Sequence, residues 1–261
     1  MDFHKPDSEL SIGDTLSLTF DVYTSHLLIF LIPFLIVSII TGGFALAVNH
    51  YGSNIPSPDP TQSLDVYFAE LGPFLANLIV LLLVFLLVSW VCTTIATGIS
   101  TKCASDIIRT GKTNLEEAFR FTSGKLISLL VATLIVATVV FLGTVALVIP
   151  GLIFAVMFAV VPPIIMNENS GAINSLSRSR KLASDRWLKT FTLLLVVGLI
   201  LVIVYFIASL IAAPFGQFSE LVSSILASAV APIPSIAITI HYFSMLAKNE
   251  QKALLLPPPP F

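Results

Sequence analysis

Five long stretches of this chain contain no Asp, Glu, Lys or Arg: residues 22–58, 71–101, 126–167, 190–219 and 221–247. A helix crosses the hydrocarbon of a bilayer with roughly 20 apolar residues, so each stretch is long enough for at least one crossing. Only 11% of the 261 residues are charged, against about 25% in soluble domains. A water-soluble fold is excluded on these grounds. The run 126–167 has room for two crossings with a turn near Gly143 to Ala146, which brings the expected number to six.

The charges orient those crossings. All 13 Lys and Arg fall at the N-terminus, in residues 100–125 and 167–189, or at the C-terminus. The alternate segments, 49–72 and 214–220, hold Asp59, Asp65, Glu70 and Glu220 and no basic residue. This is the positive-inside bias of inserted membrane proteins. It predicts cytoplasmic termini and a multi-pass protein of the cell membrane. The two-crossing reading of 126–167 follows from the same rule, because it puts both basic loops on one side. Five acids in residues 1–25 with a single Lys do not read as a signal peptide.

The expected fold is all-α: a polytopic membrane bundle of six transmembrane helices in three hairpins. The spans fall at about 26–48, 73–97, 126–143, 146–166, 190–213 and 221–247. Residues 1–255 form a single membrane domain, and residues 256–261 form a Pro-rich cytoplasmic tail of polyproline character. A short amphipathic interfacial helix precedes each hairpin. The first opens on Ser11 and Asp14 at capping-box spacing. The second begins at Asn114, after Gly111. The third shows Ala172, Ile173, Leu176, Ala183 and Trp187 on one face. Residues 16–37 and 115–136 align without a gap, with identities that include Leu16/Leu115, Phe20/Phe119 and Ile36/Ile135. That recurrence suits a unit of interfacial helix plus hairpin used three times. A short helix at 63–71 is expected in the outer loop.

Chemistry-bearing residues are scarce. None of the charged residues lies inside an expected span. Proton- and ion-coupled machinery usually keeps such groups in the membrane. Asn77, His26 and His241 read as helix-packing or interface residues, and Cys92 and Cys103 as packing residues. No residue pattern marks a catalytic, cofactor or metal site, and no enzymatic activity or cofactor is expected. Two other features carry functional weight. Arg178, Arg180, Lys181, Arg186 and Lys189 are candidates for contact with anionic lipid headgroups. Pro232 and Pro234, within Ala231–Ser235, are expected to interrupt the sixth span, either as a packing kink whose freed groups neighbouring helices satisfy or as a break that lines a cavity.

Several short strings resemble a broad family of six-span proteins. It includes the membrane domain attached to some glycerophosphodiester phosphodiesterases, along with standalone members. The strings are Gly111 with Asn114–Phe119, Ile149-Pro150-Gly151, Asn167-Glu168, Ser175–Ser179 and His241-Tyr242-Phe243. The resemblance implies an architecture. It carries no hydrolase activity, because in the fused proteins catalysis belongs to a separate soluble barrel. The function expected from the sequence is a non-enzymatic membrane scaffold or accessory protein whose partners are membrane lipids, with no nucleic acid. The alternative is a transporter or permease for a neutral or lipid-like molecule that uses the broken sixth span. A polar cavity reaching Pro232 and Pro234 is what separates the alternative from the scaffold.

Overall fold

A computed structural model describes residues 6–57, 61 and 63–255; the Pro-rich tail lies outside them. All regular structure among the described residues is helical. Helix α1 (Ile12–Ser25) leads into α2 (Leu27–Gly52), with His26 at the junction. Then follow α3 (Leu64–Thr110), α4 (Leu115–Ala146), α5 (Val148–Phe158), α6 (Val161–Asn167), α7 (Ala172–Ser184) and α8 (Trp187–Ala212). A 3₁₀ segment over Ala213–Phe218 connects α8 to α9 (Ser219–Ala227), and α10 (Ile233–Leu255) follows. Among the described residues, five helical stretches are long and apolar enough to cross a membrane: Leu27–Gly52, Leu64–Thr110, Leu115–Ala146, Val148–Asn167 and Trp187–Ala227. This pattern fits a multi-pass membrane protein.

Local sequence explains most of the boundaries. Ser11 and Asp14 close the capping box that starts α1, and Asn114 Oδ1 accepts from the N–H groups of Glu116 and Glu117 to start α4. Gly111 adopts the left-handed conformation (φ 71°) that ends α3, and its N–H bonds to the Ile107 carbonyl at 2.8 Å. Helix α4 reverses into α5 through the single extended residue Leu147. Their close approach depends on glycine. A Cβ on Gly151 would lie 2.0 Å from Thr144 Oγ1 and 2.7 Å from Thr144 N. A Cβ on Gly143 would likewise lie 3.0 Å from Gly151 Cα, so the helices touch backbone to backbone there only because Gly143 and Gly151 carry no side chain. Pro162 and Pro163 sit in the first turn of α6, where a missing N–H costs no helix bond.

Several expectations need correction. The outer-loop helix, the second span and the basic segment after it are one 47-residue helix, α3. The second interfacial helix is not separate either; it is the first part of α4. The fourth crossing is divided between α5 and α6. Helix α7 packs differently from its sequence pattern. Its buried face is Ser175, Ser179, Leu182 and Ala183, while Ile173 is exposed. Small hydroxylated residues let α7 approach closely enough for Ser179 Oγ to donate to the Met157 carbonyl at 2.7 Å. Asn77, expected to bond between helices, is exposed.

The interior is concentrated at one end. Nearly every residue of α10 from Ile233 to Met245 is buried, and α10 packs against α1, α3, α6 and α8. The buried part of α3 begins only at Thr94. Nearer its start, Leu75, Ile79, Val80, Leu83, Leu86 and Leu87 are exposed, the pattern of a helix whose solvent is hydrocarbon. The basic segments meet at the packed end. Arg109 lies 5.2 Å from the Phe243 ring, and Asn167 donates to Ser105 Oγ at 2.9 Å. Arg178 pairs with Glu168 at 3.1 Å, and Glu168 also accepts from the Tyr242 hydroxyl at 2.9 Å.

Candidate functional site: a hydroxyl-lined cavity at a broken helix

Between α9 and α10 the chain turns over Ser228–Pro232 and helix resumes at Ile233. Pro234 falls in the first turn of α10. Pro232 precedes that turn, and its ring removes the N–H that an uninterrupted helix would need. Three carbonyls of the break, those of Ala229, Val230 and Pro232, are used internally. The Pro232 carbonyl accepts from Ile236 N at 3.2 Å and from Ser235 Oγ at 2.7 Å. The Val230 carbonyl accepts from Ile233 N at 3.1 Å. Tyr23 reaches across from α1 to donate its hydroxyl to the Ala229 carbonyl. A break satisfied in this way does not present a ring of open carbonyls to a cation.

A cavity of about 480 Å³ adjoins the break. Five helices supply its wall: Phe34, Val37, Ser38 and Thr41 of α2, Thr93 and Thr97 of α3, Leu201 and Tyr205 of α8, Ser224 of α9 and Ser235 of α10. Ala231 and Pro234 complete it from the break. Pro234 is therefore at the cavity, whereas Pro232 is buried in the packing behind it. The polar character is entirely hydroxyl. Thr41 Oγ1 donates to the Val37 carbonyl at 2.9 Å and Ser224 Oγ to the Leu221 carbonyl at 2.9 Å, while Ser235 Oγ, its proton on the Pro232 carbonyl, lies 2.7 Å from Ser100 Oγ. Their donor protons are committed, but each oxygen keeps an acceptor lone pair. With no charged side chain in the wall, the cavity suits a neutral guest that offers one or two donors.

Two further spaces adjoin this one. A second cavity of about 470 Å³ shares Thr93 and Thr97 and adds Ser89, Trp90 and Thr133. There the Trp90 indole donates to Thr133 Oγ1 at 3.2 Å, and Ser89 Oγ is buried without a partner. A third, of about 650 Å³, shares Val37 and is walled mostly by apolar side chains, among them Ile32, Pro33, Ile36 and Cys92. Hydroxyl-lined and apolar spaces thus lie side by side along α2 and α3.

The basic residues singled out from sequence divide into three groups. Arg178 is tied to Glu168. Arg180 and Lys181 are exposed. Arg186 is buried (8% exposed) and lies 3.6 Å from Glu9, and Lys189 lies 3.0 Å from the same Glu9 oxygen. Sequence reading missed Glu9 and Lys248, which contact each other, because their separation in the chain hides the meeting. Burial pushes the Glu9 carboxyl up, but hydrogen bonds from Lys248 and Lys189 outweigh it and hold the group below its ordinary value. His241 is buried, with Nε2 2.9 Å from Thr190 Oγ1, and joins α10 to α8. Comparison with protein-family models, curated proteins and solved structures finds no match.

Proposed function

We propose that this chain is a six-crossing permease of the cell membrane for a neutral, lipid-like molecule, with its basic end and both termini in the cytoplasm. The observation that carries the reading is the hydroxyl-lined cavity at the break before Pro234. A tightly packed scaffold has no use for such a space. In this reading α9 and α10 together make the sixth crossing, and the break sits within it. An amphiphile has a place for each of its parts, with its polar group among Ser38, Thr41, Thr97 and Ser224. Its tail follows Val37 into the apolar groove beside Pro33. The absence of charge in the wall, together with the internally satisfied carbonyls, argues against an ionic substrate.

The reading is tested in proteoliposomes by following flip of a neutral, fluorescently tagged amphiphile between leaflets. Thr93→Leu with Thr97→Leu fills both hydroxyl cavities and is expected to slow the protein-dependent rate at least tenfold. A rate unchanged by filling, or no protein-dependent flip at all, contradicts it.

A second reading has its own observation. Arg180 and Lys181 are exposed on α7, beside the exposed Ile173. That arrangement supports attachment of α7 to an anionic membrane surface as a scaffold. Arg180→Gln with Lys181→Gln would then weaken binding of the detergent-solubilised protein to anionic vesicles and leave flip intact.

A further inference from the structure

The basic end holds a cleft that takes no part in the proposed transport. It measures about 560 Å³ and opens at the start of α8, between Glu9 of the N-terminal strap, Asp185–Lys189 and Lys248 of α10. Three cations meet one carboxylate there. Arg186 Nε and Lys189 Nζ lie 3.6 and 3.0 Å from Glu9 Oε1, and Lys248 contacts Glu9 Oε2. Asp185 is the second acid in the wall, so the cleft keeps one positive charge in excess.

Two donors in this wall also lack acceptors. Arg186 Nε is buried and too far from Glu9 for a hydrogen bond, and the Trp187 indole N–H is buried without a partner. Each terminal nitrogen of Arg186 makes one hydrogen bond, Nη2 to Asn249 Oδ1 at 2.8 Å and Nη1 to the Leu182 carbonyl at 3.4 Å. Buried unpaired donors are unfavourable, and a group rich in acceptor oxygens relieves them. Arg186, Trp187, Lys189 and Lys248 all contribute to the wall of this cleft, and guanidinium and ammonium groups pair well with phosphate oxygens.

We propose that this cleft binds a phosphate-type anion through Arg186, Lys189, Lys248 and the Trp187 indole N–H, with Glu9 the internal carboxylate that the anion displaces. With Glu9 displaced the three cations face Asp185 alone, and the bound anion takes the place of the lost carboxylate charge. The location favours a headgroup. Leu188 in the same wall is 73% exposed, and the Trp187–Phe191 stack at 5.3 Å begins the apolar surface of α8. Phosphodiester headgroup and free phosphate share this chemistry, and the experiment separates them. The site stands apart from the transport cavity, so either can fail alone.

The test uses the full chain in an uncharged maltoside detergent, with Trp90→Phe so that Trp187 is the sole fluorophore. Inorganic phosphate and short-chain phosphatidylglycerol are titrated separately, with short-chain diacylglycerol as the uncharged control. A saturable change in Trp187 emission with phosphatidylglycerol is expected. Lys189→Gln or Lys248→Gln should raise the half-saturation concentration about tenfold or more. Glu9→Gln should lower it several-fold, which a merely structural Glu9 would not do. Glu9→Asp, which keeps the charge on a shorter arm, gives a smaller decrease and serves if Glu9→Gln does not fold. A response to inorganic phosphate as well marks an anion site open to water; a response to the lipid alone marks a headgroup site. No response to either, an equal response to diacylglycerol, or weakening by Glu9→Gln overturns the proposal.

Discussion

Glu9 pins the N-terminal strap to the rest of the molecule. Its carboxylate gathers Lys189, Lys248 and Arg186, while Leu10 N donates to Ser244 Oγ at 2.8 Å on the same helix, α10. Because the folded-state carboxyl titrates below the ordinary 4.5, its contribution is fully present above that value and is lost as pH falls through the lower, folded-state value. Melting of the detergent-solubilised protein should therefore weaken on acidification, and Glu9→Gln should flatten that dependence; equal acid sensitivity in both would show that Glu9 is not responsible. Tyr23 acts at similar range. Its hydroxyl is the partner of the Ala229 carbonyl at the helix break, so Tyr23→Phe removes a part-buried hydrogen bond between α1 and the break. The cost is about 0.5–1.5 kcal/mol, read as a lowered melting temperature with faster amide exchange over 229–233. None of these long-range partners follows from the sequence, because pairing across more than 170 positions leaves no local periodicity.

At the scale of elements, the α4–α5 hairpin is the most sharply determined contact. Gly151→Ala puts a Cβ into the Thr144 backbone and should destabilise the protein by about 1–3 kcal/mol. Gly198→Ala on α8, where a Cβ meets nothing within 4 Å, is the control and should be neutral or better. Equal effects would remove the glycine contact as the cause. Much at this scale was legible: the caps at Ser11 and Asn114, the stop at Gly111 and the break near Pro232 each have a local chemical cause. The continuity of α3 was not. Gly72-Pro73 looks like a boundary, yet the helix passes through it, and the i,i+4 pair Lys102–Asp106 at 2.5 Å extends it to the basic end. The inward face of α7 was also hidden, since hydrophobicity predicts that Ile173 turns inward. In a bilayer that choice reverses, because lipid is as apolar as a core and small residues favour close helix contact.

At the scale of the molecule, the packed end and the exposed apolar bundle divide the work. Around α10, the buried Ile236, Ile240, Tyr242 and Phe243 close the basic end, while the long parts of α2, α3, α4 and α8 present apolar side chains outward. The cavity at Pro234 sits where α10 begins, so a molecule held there meets packed protein beyond it. In the proposed permease, passage would require α9 and α10 to move about the Ser228–Pro232 turn, an alternating-access motion of the broken-helix kind. The most direct test of this account is labelling by a water-soluble maleimide in membrane vesicles. Single cysteines are placed at Thr41, Thr97 and Ser224 in a Cys92→Ala, Cys103→Ala background, with Leu199→Cys on the exposed face of α8 as the lipid-facing control. Labelling at the three cavity positions and protection at Leu199 is the predicted result. Protection at all three cavity positions would mean a dry interior and would contradict the permease.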